Sequence, residues 1–207
     1  MVHKLKPFSF IYADAKGNIA HFVTGRIPVR SHSKAGTRPA RGWLNEDSWV
    51  RMMTWKEMPR VRNPPEGFIL SCNHKLSNEF YPTANTWSQG YRALRLTQLI
   101  ESFINNGTKI TLEDAITFQQ DTKSLAAEEF HRRFFLRKII SKSICPRAPV
   151  SEDEKLLCAA LEEFRRWDSH VAKNSAGAAI YHAVYQTALI ELFNGICGSL
   201  RDICLGK

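Results

Sequence analysis

The apolar residues of this chain follow one rhythm in its first third and another afterwards. Phe8, Phe10 and Tyr12 alternate with smaller residues, the period of a strand. Asp14-Ala15-Lys16-Gly17-Asn18 is a cluster of turn formers. Ile19 to Thr24 reads as a second strand, so residues 8–24 are expected to form a hairpin. Residues 25–66 are punctuated by Pro28, Pro39, Pro59, Pro64 and Pro65 and by Gly25, Gly36 and Gly42, which leaves no room for a long helix. A loop-rich stretch of that length in a folded domain shapes a site or packs over a larger body. Gly67-Phe68-Ile69-Leu70-Ser71-Cys72 follows a Pro-Pro turn and reads as a short buried strand that ends at Asn73.

From Trp87 the period changes to that of a helix. Leu96, Leu99, Ile100 and Phe103 fall on one face, and Asn106-Gly107 stops the run. Thr111 with Asp114 has the form of a capping box, followed by Leu112, Ala115, Ile116 and Gln119 on one face. A third helix is expected from about Leu125 to Ile140, ended by Cys145-Pro146. Ser151 with Glu154 is a second capping box, leading into Leu157, Ala160, Leu161 and Phe164. Ala176 to Leu192 is apolar nearly all round, interrupted by His182, Gln186 and Glu191, and reads as a buried helix. The fold class is therefore α+β, with a strand-and-loop part over about 1–86 and a mostly helical part over about 87–207.

A chain of 207 residues suffices for one domain or two small ones. No run of eighteen apolar residues occurs, so no transmembrane helix and no membrane partner are expected. Met1 to Pro7 carries charge with no apolar stretch behind it, unlike a signal peptide. The net charge of +9 favours anionic partners in general. Its densest cluster, Arg132, Arg133, Arg137, Lys138 and Lys142 beside Phe134 and Phe135, spreads over more than one helix face and carries no nucleic-acid motif. It reads as a solvated face, and no nucleic-acid partner is expected. Cys72, Cys145, Cys158, Cys197 and Cys204 are odd in number and lack C-x-x-C spacing, so they read as buried or free thiols in a reducing compartment. The seven histidines lack metal-ligand spacing, and there is no phosphate-binding glycine loop, H-E-x-x-H or G-x-S-x-G.

One polar residue stands apart. Asn73, at the end of an expected strand, has an amide that can donate to a developing oxyanion. Arg92 follows nineteen residues later at the start of the first helix, where a guanidinium can order such a group or hold a carboxylate.

Read in order, the segments resemble the penicillin acylase family of N-terminal nucleophile hydrolases. The resemblance starts at Tyr12-Ala13-Asp14-Ala15-Lys16-Gly17-Asn18-Ile19, continues through Gly25-Arg26-Ile27-Pro28-Val29-Arg30, Gly42-Trp43 and Trp49, and reaches Pro59-Arg60-Val61-Arg62-Asn63-Pro64-Pro65-Glu66-Gly67-Phe68-Ile69 before Asn73. It resumes at Trp87, Gly90-Tyr91-Arg92-Ala93-Leu94-Arg95-Leu96 and Thr111-Leu112-Glu113-Asp114, with Gln119 and Asp121, and at Leu161 to Asp168 and Ala178-Ala179-Ile180-Tyr181.

The resemblance implies that 1–207 is a partial domain, a middle portion of the large subunit, within a four-layer αββα N-terminal nucleophile hydrolase fold. It implies hydrolysis of the linear amide of an acylated amine, whether penicillin-like, cephalosporin-like or another N-acyl amide. It gives Asn73 the oxyanion-hole role and Arg92 a place in the active-site network. The family's nucleophile is the first-residue serine of a processed chain, whose own amine is the base. Met1-Val2 cannot supply it, and the one Gly-Ser pair, Gly198-Ser199, lies in the helical half. The nucleophile, the small subunit and the remainder of the large subunit are thus expected outside this chain, which alone is expected to be inactive. No cofactor is implied. Calcium in the complete enzyme would draw a carboxylate near position 85, which here is Asn85. The second reading is a catalytically inactive remnant or interaction module of the same fold. The compartment is left open.

Overall fold

The computed structural model describes residues 8–31, 39, 41–45, 48–75, 87–136, 145 and 151–200. The chain divides into two units, 1–97 and 98–207.

In the first unit, β1 (Ser9–Ala13) and β2 (Ile19–Val23) form the expected antiparallel hairpin, with Phe10 opposite Phe22 and Ile11 opposite His21. The turn is set by Asp14, whose carboxylate accepts from the Lys16 and Asn18 backbone N–H groups and the Asn18 amide. These bonds hold the Asp14 carboxyl below the usual carboxylate range. Gly17 takes the left-handed conformation (φ 81°) that closes the turn. The proline-rich stretch contributes three further strands: β3 (Pro28–Arg30), β4 (Trp49–Met52) and β5 (Arg60–Arg62). β3 pairs with β4, and β5 adds to the free side of β2, giving the order β1-β2-β5. Asn63 locks this addition: its side chain accepts from the Ile19 N–H (2.9 Å) and donates to Asn18 (2.9 Å). Two of the segments that carry the resemblance are thereby tied to each other.

Val23, Ile27 and Met58 form the core of this unit, with Met53 and Trp87 packed against them. The three-stranded sheet has apolar side chains in solvent on both faces. Phe10 (41% exposed) and Tyr12 lie on one, Ile11 (54%) and Val61 on the other.

Residues 67–72 do not form the expected strand. Their apolar run resembles one, but the backbone of Cys72 is taken by side chains, its N–H by His74 (3.4 Å) and its carbonyl by Arg92 (2.9 Å). Cys72 therefore has neither backbone group free for a ladder.

In the second unit the helices are α1 (Tyr91–Asn105, which begins in the first), α2 (Leu112–Gln119), α3 (Leu125–Leu136), α4 (Glu152–Arg166) and α5 (Ala176–Cys197). The extension of the third helix to Ile140 lies outside the described residues. Both capping boxes form as expected, Thr111 with Asp114 and Ser151 with Glu154. The basic face of α3 is partly self-neutralised, since Arg132 and Arg133 both reach Glu129. The core is aromatic: Phe164, Trp167 and Tyr181 stack in series (5.9 and 5.3 Å between centroids) over Ala127 and Ala178, with Phe130 edge-on to Tyr181. No helix is long and apolar enough to cross a membrane among the described residues.

α5 is not a buried helix: Gly177, Ala178 and Tyr181 are its buried residues, and Leu192 (55%) and Ile196 (70%) face solvent. An all-round apolar sequence cannot specify how many neighbours will cover it. The cysteines are not all thiols either. Cys145 and Cys158 are disulfide-bonded at a Cα separation of 5.4 Å, within bridging range, Cys197 is disulfide-bonded as well, and Cys72 is a buried thiol.

Candidate active site

Asn73 sits at a bend after the loop 67–72, with a positive φ of 56°. Asparagine tolerates this left-handed region better than most residues with a Cβ. The bend is anchored on the other side by its own carbonyl, which accepts from the Ser88 N–H at 2.8 Å.

Arg92, in the first turn of α1, reaches back to this bend. Its Nη2 donates to the Asn73 side-chain oxygen (3.0 Å) and to the Cys72 carbonyl (2.9 Å). The sequence-derived pair is thus brought into direct contact. The contact also settles the polarity of the amide: the oxygen faces the guanidinium, so the Nδ2 hydrogens point elsewhere. A charge-assisted bond to the amide oxygen draws electron density from the nitrogen and strengthens it as a donor. Nδ2 has no partner among the described residues, and Asn73 is exposed.

Beside the bend lies a group of side chains that the sequence does not single out. Ser9 of β1 and His21 of β2 lie on one face of the hairpin, and Ser9 Oγ meets His21 Nε2 at 2.5 Å. Ser9 Oγ also lies 3.3 Å from Ser71 Oγ. His21 is 4% exposed. Burial pushes its pKa below the usual histidine value, and the neighbouring His74 adds to the effect. The ring is therefore neutral at pH 7. Strand alternation puts Ser9 and Ile11 on one face, but the partner across the hairpin depends on register. The loop that returns at Ser71 is fixed only by tertiary structure.

The calcium ion that the resemblance allows would bind near position 85. Asn85, the position implied for a carboxylate ligand, is an amide and lies outside the described residues. No three His, Cys, Asp or Glu side chains gather as a metal site among the described residues. The helical unit has an open hollow of about 760 Å³ lined by Lys123, Glu128, His131, Arg132, Arg165 and Trp167, among others. Its charges are already matched, Lys123 by Glu128 (2.7 Å), Arg132 by Glu129 (2.8 Å) and Arg165 by Glu162 (3.5 Å). The Asn73 bend is the better candidate, since it leaves a donor unspent.

Comparison with known proteins bears on what this bend belongs to. Penicillin acylase 2 proenzyme of Pseudomonas sp. (strain SE83) is 26% identical over 192 residues, and the acyl-homoserine lactone acylase QuiP of Pseudomonas fluorescens is 27% identical over 192. These matches cover 92% and 89% of this chain but 22% of each relative, so the chain spans about a fifth of their length. Penicillin G acylase of Escherichia coli is 28% identical over 97 residues, 45% of this chain and 11% of that protein. Among solved structures, a thermostable penicillin G acylase from Alcaligenes faecalis superposes with a TM-score of 0.64 at 20% identity, covering 97% of this chain and 35% of that one. It shares the mixed helix-and-sheet fold. The family model described as penicillin amidase matches residues 3–203, nearly the whole chain, and the chain belongs to that family.

Proposed function

We propose that this chain is a middle portion of an amide-hydrolysing enzyme of the penicillin amidase type, in which Asn73 donates to the oxyanion hole. The single observation that carries the reading is the orientation of the Asn73 amide, oxygen on Arg92 and nitrogen unpartnered among the described residues. The substrate is a small acylated amine, penicillin-like, cephalosporin-like or another N-acyl amide. A serine from a segment outside this chain attacks the amide carbonyl, and its own α-amino group takes the proton. The carbonyl oxygen becomes an anion in the tetrahedral intermediate, and Asn73 Nδ2 stabilises it. Collapse breaks the C–N bond as the α-ammonium gives its proton to the leaving amine, and an acyl-enzyme is left for water to hydrolyse. Arg92 holds the amide oxygen, so the amide keeps its orientation as the charge develops. No step is routed through a metal.

The remainder of the protein, a small subunit and the rest of the large one, is proposed to complete a four-layer αββα body. Support comes from the β1-β2-β5 sheet, which carries exposed apolar residues on both faces. A sheet with one solvated face alternates apolar and polar residues, whereas one apolar on both faces suits an inner layer.

The test is Asn73→Ala in the complete enzyme. Loss of one such donor costs about 3 kcal/mol of transition-state stabilisation, or about 10²-fold in kcat or more, with substrate binding little changed. Turnover within a few-fold of wild type would remove Asn73 from the oxyanion role.

A further inference from the structure

We propose that Ser9 and His21 are positioning residues for the Asn73 amide and act on it through Ser71. The proposal rests on the reading of Asn73 as an oxyanion donor, and deepens it.

The bend 71–74 belongs to no strand or helix, so side-chain ties set its geometry. On one side stand Arg92, which holds the Cys72 carbonyl and the Asn73 side chain, and the Ser88 N–H, which holds the Asn73 carbonyl. These ties all act on residues 72 and 73 from the side of α1. The tie to the sheet is the contact of Ser71 with Ser9. With the helix-side ties alone, the amide keeps its bond to Arg92, but residue 71 is unheld and the bend can tilt with Arg92 as a unit, which changes the direction of Nδ2. Adding the sheet-side tie fixes that direction. Asn73 also occupies a sparsely populated backbone region, which persists only where its surroundings over-determine it.

His21 explains why Ser9 keeps one orientation. A buried imidazole must satisfy its ring nitrogen, and at 2.5 Å from Nε2 the Ser9 hydroxyl does so. The hydroxyl has one proton and spare lone pairs, so a commitment to His21 leaves a fixed site for Ser71. The Ser9–Ser71 separation of 3.3 Å is long for two hydroxyls, which makes it the weakest link and the right one to cut. Ser9 is exposed while His21 is buried, so the variants are made at Ser9.

The experiment is ¹H–¹⁵N correlation spectroscopy of the 207-residue chain, following the Asn73 side-chain amide pair, assigned by its loss in Asn73→Asp. In Ser9→Ala the pair is expected to move toward the position of an unrestrained asparagine, with the backbone resonances of α4 and α5 unchanged. Ser9→Thr, which keeps the hydroxyl, is expected to restore the wild-type position. An Asn73 pair that stays in place in Ser9→Ala overturns the proposal, as does a Thr variant that behaves like Ala. If Ser9→Ala disturbs the sheet, Ser71→Ala cuts the same link from the loop side and is read by the same two outcomes. The proposed function fails separately: Asn73→Ala with full turnover would remove the oxyanion role and leave the spectroscopic coupling untouched.

Discussion

Gly177→Ala sets two physical effects against each other. Gly177 is the second residue of α5, and its φ is not in the left-handed region. Helix propensity alone predicts a gain of at most about 0.8–1.0 kcal/mol, the glycine-to-alanine difference in a helix interior. The packing predicts the opposite. A Cβ built at Gly177 would lie 2.4 Å from Trp167 Cγ and 2.6 Å from its Cβ and Cδ1. Ordinary carbon contacts are about 3.5–4.0 Å, so the indole must retreat by about 1 Å or more. It has little room to do so, being stacked on Phe164 and Tyr181 and tied through its N–H to the His170 carbonyl (3.0 Å). Overpacking of this kind costs about 1–3 kcal/mol, and the strained indole bond adds to it. The net expectation is a loss of about 1–3 kcal/mol. Urea unfolding followed by helical circular dichroism measures it as a lower midpoint at unchanged slope, and each kcal/mol lowers Tm by about 2–4 °C in a chain of this size. In a Trp167→Ala background the same alanine is expected to be neutral or stabilising. A raised midpoint in the wild-type background would refute the reasoning.

Three further outcomes are expected. Ser169 has a positive φ of 65°, is 2% exposed and gives its hydroxyl no partner among the described residues, so Ser169→Gly is expected to raise stability by about 1 kcal/mol in the same unfolding assay. Cys158→Ser opens the loop closed by the bridge to Cys145, thirteen residues away, and is expected to cost about 3 kcal/mol, read against wild type under non-reducing conditions. Glu57 accepts from Arg51 and from the Thr54 N–H and hydroxyl, and its pKa falls to about 2. Its stabilising effect is therefore complete above the ordinary glutamate value and is lost as pH falls through about 2; carboxyl-detected NMR should place its midpoint there, and Arg51→Gln should raise it.

What the sequence makes legible follows the reach of the interactions. The capping boxes at Thr111 and Ser151 close within three residues, and both can be read directly. The β1–β2 hairpin is nearly as local, because Asp14 and Gly17 set the turn. β5 is harder, since Arg60–Arg62 offers no alternation of its own and becomes a strand by pairing with β2. The loop 67–72 is misread for the converse reason: its apolar residues suit a strand, but Arg92 and His74 take the backbone groups of Cys72. Asn73 and Arg92 are recognisable through the resemblance, and their contact follows from a bend that no local pattern encodes. Ser9 and His21 escape notice because a serine and a histidine on neighbouring strands look ordinary until the register is known.

The uneven burial of α5 has a consequence for how the chain opens. Its first turns are clamped by Ala178 and Tyr181, while beyond Tyr185 most of the helix lies against water. Backbone hydrogen bonds near Tyr181 can break only when the aromatic core comes apart, whereas those from Gln186 to Leu192, on the water side of the helix, can open locally. One continuous helix thus belongs to two cooperative units, and amide exchange along it grades from the rate of global unfolding to that of local opening. Any surface that came to rest on the outer turns would slow exchange there first, so α5 serves as a built-in gauge of association.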